Sequence, residues 1–502
     1  MALQSSLDPS QGPAQAEFPA PPQTRTERGL RRVLIVFAIL AAAALAVHLA
    51  LLLWAQNAFS GPESVVAGQA LTLAHEGKLY NDLNRSPYTV CAYTPLFYAG
   101  EAALSKTGLP TETAGRLISF AALLGIIALS RRIVLHYTSD RYCGWLAAIL
   151  AGSTSLLSYW GTIGQVDTLA VFFSLAAFYF FSQSSLAAAG IFAALAFFTK
   201  QTALAAPAAI FVLLWLERKK IALRFALALF GAVATAAAAI DFATGGRFFA
   251  DTIRANINPF ALQKLKQHAI IFVGAGQLIL IAAAGFKPAW RAARPLFVYL
   301  GFALAVFALT AAKVGSDTNY QIESTVALIL CACLSLHALD FFPLTFAGSK
   351  KWVTLLQIPL AIHLVLNLRM TKNLLLERVA VEQQFRTEIS ALRSYADSGR
   401  LLSADYNASL QLRGGMEVEP LIYNMLVQTG VIDPEPLRRD LAAQKFSTIL
   451  LFEDLNHPGP APDRETSTLP PAQLQEIRRH YRLLARIESP YPSRVFVYKP
   501  VP

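Results

Sequence analysis

Charged residues are scarce in this chain of 502 residues, since Asp, Glu, Lys and Arg together make up only 15% of it. A soluble domain carries about a quarter. Hydrophobic residues reach 55%, and they are concentrated in long runs. The shortage of charge excludes an ordinary soluble protein, and the long apolar runs predict a protein embedded in a lipid bilayer.

Cysteine is also rare, with four residues in the whole chain. Four scattered cysteines do not make the dense framework of a disulfide-stabilised secreted domain. Cys91 lies in a predicted loop and the other three at or within predicted helices, where a small apolar side chain is the expected role. His75 has no Cys or His partner at the spacing of a zinc site, so no zinc site is predicted.

An acidic surplus is absent, because 43 Lys and Arg outnumber 32 Asp and Glu and give a net charge of +11. The basic residues do not form one patch, which argues against a nucleic-acid partner. They occur instead in short clusters between apolar runs. Clusters of this kind set the orientation of membrane helices.

About eleven apolar runs are long enough, or nearly long enough, to cross a bilayer. They are residues 33–54, 114–130, 142–159, 168–181, 186–198, 203–216, 222–240, 270–285, 295–311, 322–341 and 352–368. The runs 186–198 and 203–216 could also be one long helix that is interrupted at residues 199–202.

The basic clusters decide between these alternatives. The N-terminus is placed in the cytoplasm because four arginines precede the first apolar run: Arg25, Arg28, Arg31 and Arg32. With this orientation, every compact basic cluster falls on the cytoplasmic side. Joining the two short runs would move the later clusters to the outside. Lys200 is therefore predicted at an outer turn, and the odd number of crossings places the C-terminus outside.

The chain divides into three parts by composition. Residues 1–32 lack periodicity and predict a disordered cytoplasmic tail. Residues 33–368 predict an all-α polytopic membrane domain with a large first outer loop at 55–113. Residues 369–502 predict a small extracytoplasmic α/β domain, in which "KFSTILLFEDL" indicates a buried strand, "SRVFVYKP" an edge strand and "AQLQEIRRHYRLLARI" a helix. The Ala- and Leu-rich composition is typical of a bacterial inner or plasma membrane protein.

Acidic residues close to a bilayer are costly and are therefore candidates for function. Glu63 begins the first outer loop, in a segment whose apolar positions suit a helix lying on the membrane interface. Asp167 ends the second outer segment, although it could equally cap the helix that follows. Partly solvated carboxylates are ionised at neutral pH, and they accept a proton from a hydroxyl or ligate a metal ion.

Several segments resemble, in order along the chain, the GT-C glycosyltransferases, which are polytopic enzymes that use polyprenyl-phosphate sugars. "GPESVVAGQALTLAHEGKLYND", "YTPLFYAGEAALSKTGLP" and "GRLISFAALL" resemble the first outer loop of this family. "IGQVDTLAVFFSLAAFYFF" resembles the second outer loop and fourth helix, "AALAFFTKQTALAAPAAIF" the Thr-Lys-Gln helix break, and "GSDTNYQIESTVALIL" a segment of bacterial members. The nearest branch contains protein O-mannosyltransferase and lipid A aminoarabinose transferase.

The resemblance implies that a sugar moves from a polyprenyl-phosphate donor to an extracytoplasmic acceptor, which is a protein, a lipid or a glycan. The family's first loop usually carries an acidic pair, and here Pro62 stands at the first position of the pair. Glu63 is then the base or a metal ligand, and Asp167 positions the acceptor or a divalent metal ion. Asp82 or Asp167 could also replace the missing acid. No other cofactor is expected.

The resemblance also implies a set of substrate-binding residues in the outer loops. They are Asp82, Tyr80, Tyr93, Lys200, Arg247, Lys313, Asn319 and Tyr320. The basic members would meet the donor phosphate, and the loop-one tyrosines would stack on the sugar or the lipid. The simpler alternatives are snorkelling of Lys200 to the interface and anchoring by interfacial tyrosines.

Two other functions compete with sugar transfer. A secondary transporter or flippase usually has its binding site near the bilayer midplane, whereas the acids here gather at one predicted face. A catalytically inactive assembly protein with the same fold is favoured by Pro62, because proline has no carboxylate.

Overall fold

The computed structural model describes residues 25–339, 355–457, 469–489 and 494–502, without the side chains of residues 25–31. The predicted tail lies outside the described residues up to position 24, as does the basic pair at 350–351. The first helix begins at Arg25, before the end of the predicted tail at residue 32.

Helices make up most of the described chain up to residue 339. They are α1 (Arg25–Trp54), α2 (Gly61–Glu76), α3 (Leu96–Ser105), α4 (Thr111–Thr138), α5 (Arg141–Ser153), α6 (Ser155–Trp160), α7 (Val166–Ser182), α8 (Leu186–Thr199), α9 (Ala205–Glu217), α10 (Lys219–Ala243), α11 (Arg247–Thr252), α12 (Leu262–Val273), α13 (Gly276–Ala284), α14 (Phe286–Ala311) and α15 (Ile322–Ala338), with 3-10 turns at Arg254–Asn256 and Thr318–Gln321.

Five helices of the described chain are long and apolar enough to cross a membrane: Arg32–Trp54, α4, α10, α14 and Thr318–Ala338. The pair α12 and α13, bent by 70°, would make a sixth. This number is below the predicted eleven because several predicted runs are shorter or broken. The run 142–159 is split at Thr154 into α5 and α6, and α7, α8 and α9 are short apolar helices.

A long helix, α16 (Gln357–Arg393), continues without a break past the boundary predicted at residue 368. The chain then forms β1 (Leu401–Ser403), α17 (Tyr406–Arg413), α18 (Pro420–Gln428), α19 (Glu435–Ala442), β2 (Thr448–Leu451), α20 (Pro471–His480), β3 (Tyr481–Glu488) and β4 (Arg494–Pro500). The four strands make one sheet in the order β1-β2-β4-β3, in which β1 and β2 are parallel and the other neighbours antiparallel.

The sheet corrects two predictions about these segments. The segment "SRVFVYKP" is an inner strand, β4, and not an edge, because β2 and β3 pair with its two sides. The predicted helix "AQLQEIRRHYRLLARI" is helical only as far as His480, where Tyr481 turns extended. Its second half, "YRLLARIE", is the edge strand β3, whose side chains alternate between buried or half-buried and exposed along the strand.

The C-terminal segment packs directly against the first loop. Asn407 of α17 accepts a hydrogen bond from the Ala58 N–H at 3.2 Å and donates one to Asn57 Oδ1 at 3.2 Å. Gly68 of α2 lies against the same segment, since a Cβ there would be 3.7 Å from Gly415 Cα. The helix α2 is therefore enclosed between α3 and α17, and it is not the free interfacial helix that its pattern predicts.

Two carboxyl groups face each other where α16 meets the C-terminal sheet. Glu388 Oε2 accepts a hydrogen bond from Ser489 at 3.0 Å, while Glu388 Oε1 and Asp405 Oδ2 are buried and have no other partner among the described residues. One proton shared between the two acids satisfies both oxygens. Burial and the facing Asp405 raise the pKa of Glu388 above its ordinary value.

This acid pair predicts a pH-dependent stability. A raised carboxyl pKa means that the folded state holds a proton that the unfolded state has released, so stability is full below the ordinary pKa of 4.5 and falls as pH rises through the raised value. Glu388→Gln keeps one donor to Asp405 at every pH. We expect it to stabilise the protein at alkaline pH by about 1–3 kcal/mol and to flatten the dependence of melting temperature on pH. An unchanged slope in Glu388→Gln would contradict the shared proton.

Candidate functional site

Glu63 lies in the first turn of α2, where Ser60 caps the helix by accepting a hydrogen bond from the Glu63 N–H at 3.3 Å. The Glu63 side chain is completely buried, whereas the neighbouring Pro62 is exposed. The condition of partial solvation is therefore not met at Glu63 in this structure. Successive residues of a helix point about 100° apart, so two neighbouring positions can face different surroundings. Of the two positions of the expected acidic pair, the exposed one holds Pro62 and the buried one holds Glu63.

Arg116 of α4 pairs with Glu63 inside the protein. Its Nε lies 2.8 Å from Glu63 Oε1, and its Nη2 lies 3.4 Å from Oε2. The backbone N–H groups of Phe59 and Gly164 donate to the same carboxylate at 2.5 Å and 2.8 Å. These donors occupy both oxygens, so Glu63 ties together the start of α2, the helix α4 and the loop before α7.

Glu101 of α3 lies beside this ion pair and is also buried. Burial and the nearby Glu63 carboxylate raise the pKa of Glu101 well above its usual range, so we expect it to be protonated at neutral pH. Gly115 makes room for it, because a Cβ at this position would lie 2.5 Å from Glu101 Oε1.

The long helix α16 adds a second set of buried charges to the same region. Arg378 donates to Thr162 Oγ1 and to the Tyr159 carbonyl, and its guanidinium lies 4.5 Å from the centre of the Phe59 ring. One turn further on, Glu382 accepts hydrogen bonds from the N–H groups of Gln56 and Asn57, both at 3.1 Å. Together with Glu63, these contacts fix the exit of α1 against α16.

Asp167 and Lys200 form the second buried ion pair. Lys200 Nζ lies 2.5 Å from Asp167 Oδ1, and the two residues are only 5% and 3% exposed. The other oxygen, Asp167 Oδ2, is buried and has no hydrogen-bonding partner among the described residues. Lys200 is thus held inside the protein and does not reach out to the interface, which contradicts the alternative of snorkelling.

The break between α8 and α9 places Lys200 at this position. The two helices are separate, as the basic clusters predicted, and Lys200 caps α8 in an extended conformation. The adjacent Gln201 donates to the carbonyl groups of Ala92 and Thr252 at 2.8 Å and 2.9 Å. The break is therefore fastened to the first loop and to α11, and the lysine has a fixed orientation.

Two tyrosines surround the Lys200 ammonium group. Its Nζ lies 4.0 Å from the centre of the Tyr320 ring and 5.6 Å from that of Tyr93, distances at which a cation is attracted to an aromatic face. Tyr80 supports this wall indirectly, because its hydroxyl donates to the Tyr93 carbonyl at 3.2 Å and its ring packs against Phe248.

A second lysine and a further acid adjoin the pair. Lys313 is half-buried, and burial together with the charge of Lys200 lowers the pKa of Lys313. Glu323, at the start of α15, accepts hydrogen bonds from Ser174 at 2.5 Å and Tyr299 at 2.9 Å. Asp167 at the start of α7 and Glu323 at the start of α15 therefore both lie close enough to Lys200, at the end of α8, to influence its charge, as does Lys313.

The other predicted site residues lie apart from this cluster or at its edge. Asp82 pairs at the surface with Arg85 at 3.3 Å, and Arg247 is exposed on α11. Neither contacts Lys200 or Asp167 in the described structure. Asn319 adjoins Tyr320 in the 3-10 turn, and its Oδ1 is buried without a partner among the described residues.

An apolar cavity of about 600 Å³ begins on the other side of this turn. Thr318 and Gln321 of the 3-10 turn, with Asp317 just before it, form part of its polar lining, while Tyr320 of the same turn covers Lys200. The remaining walls come from α6, the bend between α12 and α13, and the helix α16. The same short turn thus lines a mainly apolar cavity and, through Tyr320, covers a buried cation.

Comparison with known proteins identifies the fold. No protein-family model and no curated protein sequence matches the chain. ArnT from Cupriavidus metallidurans bound to undecaprenyl phosphate superimposes with a TM-score of 0.61 at 14% identity, over 92% of this chain and 97% of that chain. The chain therefore has the fold of ArnT. Apo ArnT gives 0.60 at 13% identity over 94% and 98% of the two chains.

The arabinofuranosyltransferase AftD from Mycobacteria is also similar in fold, with a TM-score of 0.51 at 15% identity over 94% of this chain and 40% of that one. At these identities the likeness establishes the fold alone. The assignment of site residues therefore depends on the contacts described above.

Sequence reasoning did not assign a role to several residues of the buried network. Arg116 stands within the quoted segment "GRLISFAALL", where its charge among apolar neighbours was the available signal. Arg378, Glu382 and Arg386 are spaced four residues apart, which places them on one face of a helix. These three residues lie beyond the predicted end of the membrane domain at residue 368, and nothing in the sequence indicates that they contact the first loop.

Proposed function

We propose that this chain is a membrane glycosyltransferase that moves a sugar from a polyprenyl-phosphate donor to an extracytoplasmic acceptor. The observation that carries the proposal is the buried Lys200, which is held by Asp167 and covered by Tyr320, a residue of the turn that also lines a large, mainly apolar cavity, in a chain with the fold of ArnT. A phosphate needs a cation and a polyprenyl chain needs an apolar passage. The N-terminus and the basic clusters face the cytoplasm in this proposal, and residues 369–502 lie outside.

Lys200 and Lys313 are the groups that suit the donor phosphate. In the transfer, a bond forms between the acceptor oxygen and C1 of the sugar while the bond from C1 to the phosphate oxygen breaks. The electron pair of the broken bond leaves with the phosphate, whose growing negative charge the two ammonium groups stabilise. This charge develops mainly in the transition state, so the lysines act on the rate of transfer.

Asp167 is the best-placed acceptor for the hydroxyl proton. Lys200 holds one of its oxygens at 2.5 Å and leaves Oδ2 without a partner among the described residues. A carboxylate that is fixed by one oxygen and free at the other meets the geometric requirement for a general base once the acceptor reaches it. We therefore assign the base to Asp167 and a positioning role to Glu63, whose oxygens are both occupied.

The residues present do not suit a divalent metal ion bound by Glu63 and Asp167. Each carboxylate has its own cationic partner, Arg116 and Lys200 respectively. Within the described residues, no group of three or more His, Cys, Asp and Glu side chains is arranged to hold a metal ion. We derive no step through a metal.

Release of undecaprenyl phosphate from a panel of undecaprenyl-phosphate-linked sugars tests the proposal. ArnT, which shares the fold, has been solved with undecaprenyl phosphate bound. We expect the purified full chain in detergent to release undecaprenyl phosphate from at least one donor when an extract of cell-envelope lipids and glycans supplies the acceptor. An absence of both donor binding and release across the panel would overturn the proposal.

A second candidate is a non-catalytic protein that binds the lipid-linked sugar. The specific observation in its favour is that the exposed position of the acidic pair holds Pro62 while Glu63 is fully engaged. The same assay separates the two, because this candidate binds a donor without releasing undecaprenyl phosphate from it.

A further inference from the structure

A second apolar groove, of about 350 Å³, lies between α13, α14 and α15 and reaches Phe272 of α12, which also lines the first cavity. Its walls contain only apolar and aromatic residues, among them Ile279, Phe286, Trp290, Phe297, Leu304 and Leu328. Several of these side chains are also exposed, including Phe286 at 44% and Trp290 at 36%. The groove is therefore open to the surroundings of the helices.

The corner between α13 and α14 is rigid. A Cβ at Gly285 would lie 2.5 Å from the Ser335 carbonyl oxygen, so only glycine allows the corner to approach α15 this closely. Ser335 Oγ also donates to the Ala282 carbonyl at 2.9 Å. The helix α14 then kinks at Ala293, whose backbone is non-helical just before Pro295. The corner and the kink together hold the groove open.

Two exposed cations of α14 stand next to aromatic residues of this groove. Lys287 and Arg291 are exposed, and each directly follows an aromatic residue of the groove, Phe286 or Trp290. Neither forms an ion pair within the part of the chain that the structure describes. Arg294 pairs with Glu217 at 3.2 Å, which brings the basic run of residues 218–220 to the same end.

We propose that this groove binds one anionic phospholipid, with an acyl chain against the α13–α14–α15 wall and the phosphate between Lys287 and Arg291. Charge selects the occupant, because an anionic lipid brings net negative charge to the two cations, whereas the phosphate of a zwitterionic lipid is already balanced by its own ammonium group. Basic pockets between membrane helices on the cytoplasmic side bind anionic headgroups, and aromatic residues favour the interface between headgroup and chain. This is the side on which the positive-inside rule places α13 and α14.

The test compares dioleoylphosphatidylglycerol with dioleoylphosphatidylcholine on the purified full chain by native mass spectrometry. The double variant Lys287→Gln/Arg291→Gln is expected to weaken binding of the anionic lipid about 30-fold, because each basic residue near an anionic headgroup contributes about fivefold. Binding of the neutral lipid should not change. The matched control is Arg132→Gln/Arg141→Gln, which removes two exposed cations from the same predicted side and should leave binding of the anionic lipid at wild-type strength.

A second variant examines the groove itself. Gly301 lines it, and a Cβ at this position would meet open space. Gly301→Leu therefore fills the groove without a clash and favours the helix, so the protein should remain folded. We expect it to weaken binding of both lipids. Equal losses in the two double variants, or unchanged lipid binding in Gly301→Leu, would overturn the proposal.

Discussion

Replacing Lys200 by Gln is expected to lower the release of undecaprenyl phosphate by about 10²–10³-fold, the usual effect of removing one preorganised donor to a developing anion. The ammonium group is buried and fixed by Asp167, so no neighbouring water can take its place easily. The loss should fall on kcat more than on KM, because the charge on the leaving phosphate grows in the transition state. Turnover with a labelled donor measures it.

Lys200→Gln also leaves Asp167 without its cation, and this could reduce activity by weakening the fold. The melting temperature of Lys200→Gln measures this effect on the fold, and the double variant Asp167→Asn/Lys200→Gln checks its cause, because it restores neutrality. Since the double variant also removes the proposed base, its inactivity alone says nothing about Lys200. We expect the double variant to recover the melting temperature and to stay inactive. Lys106→Gln removes an exposed lysine on the predicted outer side and serves as the matched control. Wild-type turnover in folded Lys200→Gln would remove this lysine from the site.

The sequence was sufficient to predict the class of fold, because long apolar runs and basic clusters depend on the bilayer and not on tertiary detail. The break at Lys200 could also be predicted, because the apolar runs on its two sides are interrupted by polar residues at 199–202. The strand β3 was not predicted because "YRLLARI" follows a helical segment, and its leucines fit the periodicity of a helix as well as that of a strand. Only pairing with β4 decides that this stretch is extended.

The roles of the acids could not be predicted from the sequence, because burial is a property of the assembled chain. Glu63 and Asp167 both stand at helix starts after apolar runs, and their local patterns are similar. They differ in their partners, since Glu63 is saturated by Arg116 and two N–H groups, while Asp167 Oδ2 has no hydrogen-bonding partner among the described residues. The exposure of Pro62 next to buried Glu63 likewise appears only once α2 is enclosed.

Glu63→Gln and Arg116→Met are each expected to destabilise the protein by about 3–5 kcal/mol, the typical cost of leaving one buried charge without its partner. Both side chains of this pair are completely buried. The double variant Glu63→Gln/Arg116→Met removes both charges, so it should recover a large part of the loss. Thermal unfolding of the wild type, the two single variants and the double variant gives the coupling free energy between Glu63 and Arg116.

The same variants distinguish a positioning role from a catalytic one. If Glu63 only holds the loop before α7, turnover should follow folded fraction, and the double variant should regain activity along with stability. Glu76→Gln, at the exposed end of the same helix, is the matched control and should change neither. If Glu63→Gln instead unfolds at the wild-type temperature and still releases no undecaprenyl phosphate from a donor that the wild type uses, then Glu63 acts on the substrate and the base belongs to it rather than to Asp167.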